Sequence, residues 1–191
     1  MIGNKSQKII PGLFLAVLCL TRGLYAQDIR TSSIDVNLIM DGSAALKNAG
    51  NEAVAWVSDY LVDKILQDGD RITIWNAAGK AGIVHSDTLS GAEGKENIRK
   101  ILRSLAFQDN SADFSGALRE AASRTNSGSA MTYTILISGS SSALSPLLLG
   151  SDSNLLRYSR VEEFPSWRVL IIALDINSRV RQAAAAYFSG D

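Results

Sequence analysis

The segment Ile34-Asp-Val-Asn-Leu-Ile-Met-Asp41 mixes β-branched and apolar residues and stops on an acid. A strand buried on both faces of a parallel sheet reads this way, and such sheets need helical crossovers to cover them. The rest of the chain is therefore expected to alternate helices and strands. Between Asn51 and Leu66, Val54, Val57, Leu61 and Ile65 share one helical face that Trp56 and Tyr60 widen. Gly69-Asp70 turns the chain into a second strand, Arg71 to Trp75. A turn at 76–80 and a short return strand at 81–86 predict an antiparallel edge hairpin.

Ile98, Ile101, Leu102 and Leu105 recur at helical spacing, as do Phe114, Ala117, Leu118, Ala121 and Ala122 after a polar link at 108–112. Strands are predicted at 131–137 and 167–175, and a last helix buries Val180, Ala184, Tyr187 and Phe188. Ser145-Pro146 offers an N-cap and a proline for the first turn of a short helix within the 143–166 connection. The expected fold class is α/β: a mostly parallel central sheet with one antiparallel edge strand and helices on both faces, Rossmann-like in layout. Ligands of such sheets bind at the C-terminal ends of the strands, where the strand order switches. Asp41 and the loops at 108–113 and 138–142 belong to that rim.

Composition fits one domain: 191 residues, 46% hydrophobic and 20% charged. Lys5 and Lys8, the apolar run Ile9 to Leu20 and the small residue Ala26 form the three-part layout of a secretory signal. The run is shorter than the roughly 20 apolar residues of a membrane span, so no transmembrane anchor is expected after its removal. The expected organisation is a signal peptide at 1–26, a short linker at 27–33 and one domain at 34–191. Removing residues 1–26 takes Lys5, Lys8 and Arg22 and no acid, leaving 16 basic against 19 acidic residues and a net charge of −3. That balance excludes a polyanion as the default partner, so no nucleic-acid binding is expected. Cys19 is the single cysteine and falls within the apolar run, so the mature chain forms neither a disulfide nor a thiolate zinc site. Periplasmic or secreted residence is expected.

Four stretches together resemble the von Willebrand factor A family, also called integrin I-like. They are Asp-Val-Asn-Leu-Ile-Met-Asp-Gly-Ser at 35–43, the edge hairpin, Ala-Asp-Phe-Ser-Gly-Ala-Leu-Arg-Glu-Ala at 112–121, and Tyr-Thr-Ile-Leu-Ile-Ser-Gly at 133–139. The resemblance runs from about Ile34 to the C-terminus. It implies a divalent cation, usually Mg²⁺, held by Asp-x-Ser-x-Ser after the first strand, a threonine before the third helix and an aspartate after the next central strand. One coordination position is left for a carboxylate of the partner.

Carried over, Asp41 matches the first aspartate and Ser43 the first serine. Ala45 stands at the second serine, Ala112 at the threonine and Gly139 at the second aspartate, so three of the five ligands implied by the resemblance are absent. One carboxylate and one hydroxyl are too few to dehydrate Mg²⁺, and no cofactor or tight metal is expected. A rebuilt site using Asp41, Ser43 and Asp113 for weak Mg²⁺ or Mn²⁺ is the alternative.

The bland readings compete at each residue. Asp41 can cap loop amides, and Asp113 can cap the helix starting at Phe114. Ser138 to Ser142 form either a plain loop or a nest of amides for an anion. Leu147 to Leu149 either anchor a partner or pack inward. His85, the only histidine, lies on the edge strand, and no other base accompanies the rim serines. A hydrolase therefore ranks last and no enzymatic activity is expected. The reading reached is a non-enzymatic extracytoplasmic module that binds a protein partner through a rim of Asp41, Ser43, Ser111, Asp113 and Ser140. Its alternative is a divalent-cation-dependent adhesion domain.

Overall fold

A computed structural model describes residues 30–124, 130–174 and 178–189. The chain divides into Met1–Thr31, of which only Arg30 and Thr31 are described, and Ser32–Asp191. The expected signal peptide, the signal's cysteine and residues 27–29 of the expected linker lie outside the described residues.

Five strands, β1 (Ile34–Met40), β2 (Arg71–Asn76), β3 (Gly82–Thr88), β4 (Met131–Ser138) and β5 (Trp167–Ala173), form one sheet in the order β3-β2-β1-β4-β5. All neighbours are parallel except β2 and β3, which pair antiparallel with a register shift between Ile74 and Trp75. The α/β class and the antiparallel edge strand are thus as the sequence predicted. β1 is central because both its faces are apolar: Val36, Leu38 and Met40 enter one core, and Ile39 enters the other.

One face is covered by α1 (Gly50–Trp56), continuing as a π-helix over Val57–Ile65, and by α2 (Gly91–Arg103). The other is covered by α3 (Phe114–Arg124), α4 (Ser141–Leu148), a 3₁₀ segment over Ser153–Ser159 and α5 (Ser178–Ser189). Val180 of α5 is buried and Ala184 half-buried; the side chains of Tyr187 and Phe188 lie outside the described set.

The π-helix changes which side chains meet the core. Its wider turn brings Val57, Leu61, Val62 and Leu66 inward, while Ile65, placed inside by a 3.6-residue period, is 47% exposed. Trp56 and Tyr60 do not widen the buried face. They stack on one another at its solvent margin, with Lys64 lying over Tyr60. α4 also starts earlier than the sequence predicted. Ser140, not Ser145, is its N-cap, so Pro146 lies inside the helix, where it removes one backbone donor. Leu147 packs inward, fully buried, whereas Leu149 stays partly in solvent.

The lower end of the sheet is closed by Asp70, a buried acid. Its two carboxylate oxygens accept from the amides of Ile34, at 2.9 Å, and Gln67, at 2.8 Å. These bonds fix the start of β1 against the turn that feeds β2, and so place the opposite end of β1 at the rim.

Candidate functional site

β1 and β4 are the strands at which the order reverses, and both end in the rim. Asp41 follows β1 and is fully buried, its amide bonded to the carbonyl of Ile137 at 2.9 Å. The Asp41 carboxylate receives protein donors on both oxygens. Oδ1 accepts from the Ser43 amide at 2.8 Å and Oδ2 from the Gly139 amide at 2.9 Å. The hydroxyl of Ser138, also buried, stands 3.4 Å from Oδ2 and 3.0 Å from the Ser140 carbonyl, so its single proton is aimed chiefly at the latter.

The loop after β4 closes directly onto the turn after β1. A Cβ at Gly139 would stand 2.6 Å from the Leu46 amide nitrogen and 2.7 Å from the carbonyl carbon of Ala45. The aspartate implied at this position by the family resemblance has no room in this backbone, and Ala45 lies against Gly139 through its main chain. The 3₁₀ turn Ala44–Leu46 thus occupies the volume beside Asp41.

Further backbone bonds hold the loops around this group. Ser43 is buried and in strand-like conformation, bridged in parallel to Asp109, whose carbonyl accepts the Ala44 amide at 2.8 Å. The Gly42 carbonyl receives the amides of Gln108 at 3.1 Å and Asp109 at 3.3 Å. Ala112 bridges antiparallel to Ala78, and the carbonyl of exposed Ser111 accepts the Gly79 amide at 2.9 Å. The 108–113 loop is therefore stitched by backbone bonds to two other loops.

Asp113 is turned into that stitching. Its Oδ1 accepts from the Gly116 amide at 2.7 Å, the geometry of a cap on the first turn of α3, and its Oδ2 lies 3.4 Å from the Ala81 amide. Ser140 caps α4 through its hydroxyl, which accepts from the Ser142 amide at 3.1 Å. Asp41, Ser43, Ser138 and Gly139 thus form one connected group, to which Ser140 is tied through the Ser138 hydroxyl, while Ser111 and Asp113 are held against the 76–81 turn.

Three rim residues lie outside the predicted ligand and partner-binding set. Ser138 bridges the start of the Gly/Ser loop, and Asp109 presents an exposed carboxylate beside Gly79. Asn76 ends β2 against Gly42, with its buried side-chain oxygen lacking a hydrogen-bond partner among the described atoms. The signal for Asn76 is positional, since it stands at the C-terminal end of the strand beside β1. A linked ion-pair cluster lies away from the rim. Arg99 on α2 reaches Asp63 on the π-helix and Glu96, and the Asp63 hydrogen bond above all raises its pKa, against the effect of desolvation.

The donor set does not fit the cation implied by the resemblance. The Asp41 oxygens are occupied by amides, Gly139 has no space for a side chain, and Asp113 faces a helix terminus. His85 is half-buried on β3, paired in register with Ile74 and remote from the rim serines.

No protein-family model matches the sequence, and no curated protein matches it. Solved structures do. A von Willebrand factor type A protein from Catenulispora acidiphila superposes with a TM-score of 0.56 at 14% identity, over 81% of this chain and 37% of that one. Manganese-loaded TRAP protein from Plasmodium vivax gives 0.55 at 16% identity, over 80% and 63%. The conserved hypothetical protein BatB from Bacteroides thetaiotaomicron gives 0.50 at 12% identity, over 83% and 98%. This chain thus spans little more than a third of the first and under two thirds of the second. With the strand order, the antiparallel edge and the rim in place, these superpositions establish that the chain has a von Willebrand factor A-like fold.

Proposed function

We propose that the domain is a non-enzymatic protein-interaction module acting outside the cytoplasm, which recognises its partner through the loops at the C-terminal rim without tightly bound metal. The observation that carries this reading is the closure of the Asp41 carboxylate by the Ser43 and Gly139 amides, with Gly139 pressed against Ala45 and Leu46. Each Asp41 oxygen keeps a lone pair, but a cation would share it with two charge-assisted hydrogen bonds and meet Ala45, Ala112 and Gly139 where the resemblance implies oxygen ligands. What remains for a partner is the surface of the stitched loops: Ser111 and Asp109, both exposed, and Ser140, half-buried at the head of α4.

The fold supports an interaction role by analogy only. The TRAP structure is described as manganese-loaded, which supplies the contrasting reading of a cation-dependent binder with Asp41, Ser43 and Asp113 as ligands. No described helix is long and apolar enough to cross a membrane. Periplasmic or secreted residence rests on the sequence signal at 1–26.

The test is site-specific photo-crosslinking in the source cells from Ser111 and from Ser140, with Lys95 as control. Lys95 lies near the start of α2, at the opposite end of the sheet. A common adduct from both rim positions, formed equally in chelator, is the expected result. Adducts that require added Mg²⁺ or Mn²⁺ would replace this reading with the cation-dependent one. Equal capture from Lys95 would remove the rim from the account.

A further inference from the structure

Among the described residues, no strand covers the outer edge of β5. Parallel pairing directs the even-numbered residues of this strand toward β4, as shown by the amide of Leu174 donating to Ser138 and the carbonyl of Ser166 accepting from Thr132. The N–H and C=O groups of Val169, Ile171 and Ala173 therefore point away from the sheet. No described strand pairs with them.

Proteins blunt such edges with lysine, proline, bulges or short length. β3, the strand at the other side of the sheet, follows the rule, with a register shift beside it and Ser86, Asp87 and Thr88 in solvent. β5 does not. Its seven residues are Trp-Arg-Val-Leu-Ile-Ile-Ala, and Leu170 is 52% exposed on the α1 side of the sheet. Leu174, just beyond it, is 49% exposed, and next to it Trp56, Ala53, Ile137 and Ile172 line a hollow of about 250 Å³. Apolar side chains and unpaired backbone thus coincide on one margin of the domain.

We propose that β5 pairs antiparallel with β5 of a second copy about a twofold axis at Ile171. The argument for a second copy lies in the register. Centring on Ile171 sets Ile171 against Ile171 and Val169 against Ala173, so all three outward residues exchange amide and carbonyl groups with the partner. A slip of one position on either side of the axis leaves an outward residue unpaired or opposes it to Trp167, whose amide already donates to Phe164. The same register sets Leu170 beside Ile172 twice on the open face, and Arg168 beside Leu174, whose apolar surface the arginine stem covers. No like charges fall opposite each other. An isologous contact of this kind closes at two copies, because each β5 edge is used up by its twofold mate. The interface is small, and contacts under about 1,200 Å² form weak assemblies, so dissociation on the order of 10 µM is expected.

Sedimentation velocity over a concentration series, on the chain and on Leu170→Lys and Val169→Pro, decides the matter. Leu170 is mostly in solvent, and the Val169 amide faces outward, a place where an edge strand tolerates proline. A concentration-dependent dimer that both substitutions weaken by about tenfold or more, with the unfolding transition retained, is the expected result. Concentration-dependent hydrogen exchange at Val169, Ile171 and Ala173 would accompany it. The proposal is overturned by a monomer at every concentration, by a dimer that both variants keep, by assembly beyond two copies, or by amides already protected in the monomer.

Discussion

Asp41 and Gly139 meet across the switch between β1 and β4, the buried carboxylate of one accepting the amide of the other at 2.9 Å. Because the Ser43 amide holds the second oxygen, Asp41 links the first strand, the turn after it and the loop after β4. Replacing it with alanine leaves buried amides without acceptors. Asp41→Ala is expected to destabilise the metal-free domain by about 3 kcal/mol in urea denaturation, and Asp41→Asn by less. A residue acting only as a metal ligand would show no such loss in chelator.

Gly139→Asp restores the second aspartate implied by the family resemblance, into a space already filled by the backbone of Ala45 and Leu46. The expected outcome is a loss of about 1–3 kcal/mol from overpacking, with no rise of the melting temperature on adding Mn²⁺. A variant at least as stable as the parent, further stabilised by Mn²⁺, would show that the loop opens readily and that the rim is a dormant cation site.

Asp113→Ala removes the acceptor for the Gly116 amide and is expected to lower stability by about 1 kcal/mol, with Asp113→Ser restoring part of it. Urea midpoints with unchanged slopes would report this directly. Substitutions that leave stability intact but abolish a Mg²⁺ or Mn²⁺ titration would instead place Asp113 in a metal site.

The π-helix makes a contrast available within one turn. Val62 is fully buried and Ile65 is 47% exposed, so Val62→Ala is expected to cost about 1–3 kcal/mol and Ile65→Ala under about 0.5 kcal/mol. The reverse order, measured by chemical denaturation, would restore an ordinary helical register over 57–65.

These residues also mark where the sequence speaks and where it is silent. β1, β2 and β4 announced themselves because their apolar residues face two covering layers, and the hairpin because Asn76 to Lys80 break that run. The π register carries no such mark: Val62 and Ile65 are both apolar, and only the packing of Val57, Leu61 and Leu66 selects between them. Pro146 points to a helix start, yet the side-chain cap at Ser140 begins α4 earlier. At the rim, the positions of Asp41, Ser43 and Asp113 could be read from strand and helix ends. The contact of Gly139 with Ala45 could not, because a closure made by main-chain atoms leaves no side-chain pattern to read.

The span of the bond between Asp41 and Gly139, 98 positions, has a consequence for timing. β1 is among the first segments of the domain to be made, yet one of its edges waits for β4, and the rim does not exist until that loop has closed. The entropy of so long a closure is repaid only when the whole sheet condenses. A nascent or truncated chain ending before Met131 therefore lacks the assembled rim, and the closed rim reports that the domain has been completed.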